Sequence, residues 1–272
     1  MKYRNFIGFN QPVDHPLKEP VLKDYNFPDP HRPERMAEVQ EVMDKYHEDY
    51  AVMVDLSCTL VEAAYAHLRG MENFFVDLYE HRAFAIELLN AIADYYIELG
   101  RHAIEKGIDI IRIGDDIGGQ GGMLIPPALW REVVKPPLRR MITAFKETNP
   151  EIVVKYHSCG DFRPVIPDLI DLGVELIGTM QPCGSMNPFE LKAEFGSQIA
   201  FLGGLDTQQL LPNGTPEQVR EGVRMLLRAY APGGGYIFMP GHYVNVDVPL
   251  DNIWAMLEAV HHYRRYPLEL GD

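Results

Sequence analysis

Two residues standing two apart can do chemistry together: His157 and Cys159, in the stretch IVVKYHSCGDFRP that spans 152–164. Residues 152–155 read as a strand that ends where the pair stands. In an extended chain residues i and i+2 face the same side, so the imidazole and the thiol point into one cavity. A borderline-soft metal such as zinc takes that nitrogen and sulfur pair, and needs at least one more ligand. The bland alternative is a histidine hydrogen-bonded at a strand end beside a buried thiol. Other chemically capable side chains lie in loops that follow strands: Asp115 and Asp116 in GDDIGGQGG, Cys183 in QPCGSMNP, Asp206 and Gln208 in GGLDTQQLLPNG, and His242 in PGHYVNVDVP. Adjacent carboxylates point apart, so one of Asp115 and Asp116 is expected to satisfy loop amides. The other enters the cavity, to accept a proton or meet a cationic group. Asp206 and Gln208, with Arg163, are candidates to hydrogen-bond a polar substrate. Asp161 and Asp247 are weaker candidates, and Asp161 reads equally well as a helix cap. Glu62 and His67, on the helix after the first strand, are expected at a surface.

The elements that must position these residues alternate. Residues 1–32, rich in proline, read as an extended arm over a domain surface. A helix follows over 32–50, a strand over 51–56, and helices over 60–68, 72–78 and 82–106. Strands over 108–113, 152–156, 176–179, 199–202 and 236–239 then alternate with helices over 127–148, 165–172, 188–195 and 216–230, and a last helix starts at or beside Asp251. Thr215 with Gln218 three residues on is a capping box. Strand–loop–helix repetition predicts an α/β fold, and a (β/α) barrel rather than a doubly wound sheet, as one domain over 1–272. No GxGxxG follows a strand and no Walker sequence is present. The count is six strands instead of eight, so the barrel is expected to be incomplete at its N-terminus, with the arm or a homodimer contact covering the gap.

Composition narrows the function. The chain has 272 residues, 46% of them hydrophobic, enough for a substantial core. A net charge of −14, from 39 acidic and 25 basic residues, argues against a nucleic-acid surface, which needs a basic stripe. No run of 18 apolar residues and no charged-then-apolar leader is seen, so a cytoplasmic protein without a membrane segment is expected. Three cysteines, Cys58, Cys159 and Cys183, make free thiols or metal ligands a better reading than a disulfide framework.

The chain resembles the uroporphyrinogen decarboxylase superfamily, which includes the decarboxylase and corrinoid-dependent methyltransferases. The stretches that carry the resemblance are HSCGDFRPVIPDLIDLGVELIGTMQP (157–182), GGLDTQQLLPNGTPEQV (203–219) and PGGGYIFMPGHYVNVDVPLDNIWAM (232–256). LRGMENFFVDL (68–78) and the DD of 115–116 followed by PPALWREVVKP are weaker pieces of the same pattern. The resemblance implies a (β/α)8 barrel with its pocket at the C-terminal ends of the strands. It also implies about 80 further residues before the start of this chain, holding two strands and the substrate-binding residues of the decarboxylase. The methyltransferase branch has a His-x-Cys zinc motif with a third cysteine after the last strand; here His242 takes that place, and Cys183 is the rival third ligand. In the decarboxylase branch the matching histidine touches a substrate carboxylate. Three functions stay open. The first is a zinc-dependent methyltransferase, with Asp115, Asp116 and His242 at the reacting centre, acting on a small-molecule thiol with a corrinoid or corrinoid protein as methyl carrier. The second is porphyrinogen acetate decarboxylation, for which Arg112 and Arg163 are thin provision. The third is a non-catalytic barrel subunit.

Overall fold

A computed structural model describes residues 3–6, 9–12, 14–23 and 25–268. The chain forms two compact units. One comprises Met1–Ile117, Ile125–Tyr156 and Pro167–Val174; the other comprises Gly118–Leu124, His157–Ile166 and Glu175–Asp272.

The first unit begins with a hairpin, β1 (Tyr3–Phe6) antiparallel to β2 (Phe9–Pro12). The N-terminal segment is therefore not wholly the element-free arm expected from its prolines. Its later part does lie over helices. The Leu17 amide donates to Leu68 O at 3.0 Å. Buried Arg69 donates to Leu17 O and Lys18 O while its Nε pairs with Asp77 at 2.6 Å. An unpaired guanidinium in that position would be costly, so the arm and Asp77 are what allow Arg69 to be buried. After α1 (Glu34–Tyr46) come β3 (Met53–Asp55) and α2 (Leu60–Glu62), which widens into a π-helical turn over Ala63–Leu68. The helices α3 (Met71–Glu80) and α4 (Arg82–Ile104) follow, then β4 (Ile110–Gly114). The single helix expected over 127–148 is two, α5 (Pro127–Val133) and α6 (Lys135–Thr148). Pro136 and Pro137 supply no amide hydrogens, which breaks the ladder at Val134 and suits the first turn of a new helix. Then come β5 (Val153–His157), all but its last residue in this unit, and α7 (Ile166–Asp171). The strands lie in the order β3–β4–β5, with β3 parallel to β4 and Met53 opposite Ile110.

The second unit holds β6 (Leu176–Thr179), α8 (Pro188–Phe195), β7 (Ala200–Gly203), α9 (Leu210–Asn213), α10 (Pro216–Tyr230), β8 (Tyr236–Ile237) and α11 (Leu250–Tyr263). Its strands run β6–β7–β8, all parallel, with Leu176 opposite Ala200 and Tyr236 opposite Phe201. Every residue of β6 is buried, as befits a parallel strand covered on both faces. Thr215 caps α10 and Gln218 bonds back to the Thr215 amide, completing the capping box. The loop GDDIGGQGG contributes an element the sequence did not suggest, a two-rung antiparallel ladder of Gly118–Gly119 with Gly122–Met123. All six strands read from the sequence are present, and within each unit their order follows the chain. The fold is α/β. No helix among the described residues is long and apolar enough to cross a membrane.

Helix α4 packs on α6 through Gly100. A Cβ there would stand 2.2 Å from Phe145 Cε1 and 3.1 Å from Ile111 Cδ1. Gly100→Ala should therefore destabilise the protein by about 1–3 kcal/mol, although alanine favours a helix by about 1 kcal/mol. Urea unfolding would measure this, and an unchanged or raised midpoint would contradict the packing.

Candidate metal centre and acid cluster

Three side chains of the second unit converge. His157 ends β5, Cys159 follows it in the turn, and His242 stands after β8. One donor atom from each lies within 4.8 Å of the others. His157 Nε2 is 3.7 Å from Cys159 Sγ. Tetrahedral zinc, with bonds of about 2.0–2.1 Å to nitrogen and 2.3 Å to sulfur, places such atoms about 3.5 Å apart. The first pair thus stands at the spacing a metal needs, and the third donor closes the set with a movement of about an ångström. The His157 and His242 ring centroids are 6.4 Å apart, and Tyr243 meets the His242 ring edge-on at 4.8 Å. His157 is buried, whereas Cys159 and His242 are half-buried, so the centre is reached from one side. Two imidazoles and one thiol are a zinc donor set with one tetrahedral position left over. Among the described residues Cys183 is not part of this group. Burial and the Asp161 charge push its thiol pKa up, which disfavours the thiolate a metal needs.

Hydrogen bonds from the main chain fix the turn that carries Cys159. Ser158 N donates to Gly178 O at 3.0 Å, and Gly160 N to Gln181 Oε1 at 3.0 Å. Asp161 pairs with Gly119 as an antiparallel bridge. Gly160 has φ +71°, and a Cβ on it would stand 2.4 Å from the Gly118 carbonyl carbon. A Cβ on Gly118 would stand 2.6 Å from Cys159 O. Glycine is thus required on both sides. The loop carrying His242 is held by Gly241 N donating to Leu205 O at 2.7 Å.

The other sequence candidates have local duties. Asp161 accepts from the Ser185 amide at 2.6 Å and its hydroxyl at 3.0 Å. Arg163 is bound by Glu190 at 2.6 Å and Glu194 at 2.8 Å, so it is already neutralised. Asp206 accepts from the amides of Gln208 and Gln209 at 2.7 and 3.1 Å, closing its loop beside an apolar cavity of about 250 Å³ lined by Met180, Met186 and Met225. Gln208 and Asp247 are exposed.

A second cluster lies in the first unit. Asp115, at the end of β4, is fully buried, and its Oδ1 accepts from the Glu62 amide at 3.1 Å. Glu62 is 7% exposed, which corrects the surface position expected for it; His67 is half-buried. Glu62 Oε1 accepts from the Cys58 thiol at 3.1 Å. Ser57 and Cys58 both have positive φ, +34° and +48°, where non-glycine residues are uncommon, and Tyr96 donates to Cys58 O at 3.2 Å. Asp116 is half-buried. Burial, then the Asp116 charge, pushes the Glu62 carboxyl up to about 7. Burial raises Asp115 to about 7 as well, against the lowering effect of the Glu62 and Val61 amides. Burial, and then the Glu62 charge, pushes the Cys58 thiol far up, so it stays protonated. Sequence reading marked Asp115 and Asp116 but missed Glu62 and Cys58. Cys58 precedes the helix that holds Glu62 and has a positive φ, so no helical spacing in the sequence linked the two.

These shifts have a stability consequence. Glu62 titrates near 4.5 when unfolded and near 7 when folded. The native state therefore binds more protons between those values, and its stability falls as pH rises through that window. The contribution, about 2–3 kcal/mol, is present in full below about pH 4 and lost above about pH 7. Glu62→Gln mimics the protonated side chain. It should match wild type at pH 4.5 and exceed it by about 2 kcal/mol at pH 8. Urea unfolding at the two pH values checks this, and a variant less stable than wild type at pH 8 would refute it.

Comparison with known proteins places the chain in a family. The uroporphyrinogen decarboxylase (URO-D) profile matches residues 11–263. A uroporphyrinogen decarboxylase of Legionella pneumophila is 26% identical over 207 residues, covering 76% of this chain and 55% of that protein. A methylated-thiol–coenzyme M methyltransferase of Methanosarcina mazei is 27% identical over 196 residues, covering 71% of this chain and 48% of that protein. The chain spans about half the length of these curated relatives. The solved structure of a methyltransferase from Methanosarcina mazei matches with a TM-score of 0.74 at 18% identity, over 94% of this chain and 72% of that one, so the two share a fold. With its profile match running through both residue clusters and almost from end to end, the chain belongs to the uroporphyrinogen decarboxylase family.

Proposed function

We propose that this chain is an enzyme with a (β/α)8 barrel of the uroporphyrinogen decarboxylase type, and that it transfers a methyl group between a thiol and a corrinoid, using one zinc ion held by His157, Cys159 and His242. The observation that carries this reading is the convergence of the three donor atoms within 4.8 Å. The methylated-thiol methyltransferase among the relatives supports the substrate class. When bound, zinc would act as a Lewis acid that lowers the pKa of a thiol at its open position. The chain's own residues supply the rest. Cys159 binds as a thiolate and the two histidines as neutral imidazoles. The glycine-bound turn keeps Cys159 in place, and the burial of His157 limits water on one side. Asp115 and Asp116 are proposed as proton acceptors and Asp206 and Gln208 as polar contacts for the substrate, with a corrinoid protein as partner.

A second reading, decarboxylation of a porphyrinogen, is favoured by the family profile and by the Legionella relative. The charge arrangement speaks against it. Arg163 is neutralised by Glu190 and Glu194, and Arg112 by Asp55, so neither is available to a substrate with several carboxylates.

Zinc content by mass spectrometry separates the readings. Wild type and Cys183→Ala should hold about one zinc per chain; Cys159→Ala should hold none; His242→Ala should bind at least about tenfold more weakly, with each fold intact by circular dichroism. Because imidazole and thiolate must both be deprotonated, affinity should fall as pH drops below about 6. A full complement of zinc in Cys159→Ala, or none in metal-replete wild type, would remove the methyl-transfer reading and leave decarboxylation, tested by carbon dioxide release.

A further inference from the structure

The second unit holds an apolar cavity of about 250 Å³ that neither the metal reading nor the acid cluster uses. Its walls come from the turn after β6, the turn after β7 and one face of α10. Met180, Met186, Leu205 and Leu226 line it, and all are buried. Met225 also lines it and is 37% exposed, so it marks the open side. Met180 sits at φ +48°, where non-glycine residues are uncommon, yet only 2% of it is exposed. At Gly222 the helices α9 and α10 lie directly on each other, since a Cβ there would stand 2.5 Å from Leu210 Cδ2. The space opens beside that contact, at Met225 and Leu226.

The lining selects the ligand. Asp206 is on the wall, and its carboxylate is taken by the amides of Gln208, Gln209 and Leu210 at 2.7, 3.1 and 3.4 Å. Among the described residues no other charged side chain lines the cavity, so a charged ligand would lose its water there without gaining a partner. Water is a poor occupant of a space walled by methionine and leucine, because it needs roughly two to four polar partners. One wall is aromatic and fixed. Tyr230, 1% exposed, packs between Phe201 and Tyr236, with ring centroids 4.8 and 5.0 Å away. Tyr236 is itself anchored, its hydroxyl donating to Gly203 O at 2.8 Å. The other walls carry the thioethers of Met180, Met186 and Met225, which are flexible, polarisable and attracted to aromatic rings. An apolar cavity of roughly 150 Å³ already holds benzene, so about 250 Å³ leaves room for a substituent on the ring.

We propose that this cavity binds a small uncharged aromatic molecule, a single ring with one short substituent. Tyr230 supplies a flat wall for the ring, and the methionine sulfurs meet its edge. An alicyclic molecule of the same size fills the same volume but loses the contacts between sulfur and ring. Each such contact changes affinity by about two- to tenfold, so preference for an arene is the signature of this lining. The site rests on the second unit's own packing and does not depend on zinc.

The test is methionine-methyl NMR of the full chain titrated with toluene, with methylcyclohexane and benzoate as probes of the ring and of charge. Toluene should move the Met180, Met186 and Met225 resonances to saturation at one site, each assigned by its Met→Leu variant, while the rest of the chain's 12 methionines stay in place. Methylcyclohexane should bind at least about threefold more weakly, and benzoate should leave the three resonances unmoved. Met180→Leu with Met186→Leu keeps the volume and removes two sulfurs. It should lower toluene affinity by about three- to tenfold and leave methylcyclohexane affinity unchanged. Met225→Trp, a change at a partly exposed position, should obstruct entry and lower toluene affinity by at least about tenfold. Cys159→Ala should show the wild-type shifts, which separates failure of this site from failure of the metal reading. Equal affinity for methylcyclohexane, benzoate binding as tight as toluene, or shifts absent from these three methionines or spread over the others would overturn the proposal.

Discussion

The approach of two backbones at Gly118 and Gly160 is the constraint on which the candidate metal centre depends. Each glycine occupies a place where any Cβ would sit inside the other segment, 2.4 Å and 2.6 Å from its nearest atoms. Because no side chain intervenes at the glycines, the turn after β5 is positioned by main-chain hydrogen bonds, Asp161 N to Gly119 O at 2.9 Å among them, with the Gln181 side chain accepting from Gly160 N. Main-chain contacts hold position better than long side chains, which have rotamers to lose. Cys159 is thus placed by its neighbours' backbone, and Asp161 extends the same order outward to Ser185. A loop that supplies a ligand usually needs this kind of support, since a misplacement of about an ångström is enough to spoil a coordination set.

The two clusters follow opposite electrostatic rules. At the metal centre the donors are imidazoles and a thiol, groups that can be neutral until a cation arrives. Its acidic neighbour Asp161 is already saturated by Ser185 and by the Arg163 amide. In the first unit burial raises the Glu62 and Asp115 carboxyls to about 7. Arg69 and Asp77 show what the same fold does when a buried charge serves structure: the pair is closed at 2.6 Å, and carbonyls take the remaining donors.

The architecture was readable because period and punctuation agreed. Most of the strands read from the sequence are short apolar runs with glycine or proline close behind them, β3, followed by Ser57 and Cys58, being the exception, and α10 announces itself through Thr215 and Gln218. His157, Cys159 and His242 were legible for a related reason: residues just past parallel strands gather at one end, whatever separates them in sequence. What stayed hidden depends on contacts that sequence spacing does not encode. The break at Val134 needed the helical register of Pro136 and Pro137. The glycine ladder at Gly118 gave no apolar signal. Glu62 looked like a solvent-facing helical residue, because its burial is decided by Asp115, 53 residues away.

Replacing a thiol by an imidazole as the third donor alters charge as well as shape. In the proposed set only Cys159 contributes a negative charge, so a divalent ion would retain one net positive charge, where a second thiolate would cancel it. That residual charge favours an anionic fourth ligand and strengthens the pull on the proton of a bound thiol. It also raises the cost of placing another cation nearby, which is consistent with the neutralisation of Arg163 by two glutamates in the same unit. Cys183 would reverse this balance if it served as the third donor. Its raised pKa and its absence from the converging group both weigh on the side of His242. With His242 as the proposed third donor, the centre would stay positive enough to hold a thiolate.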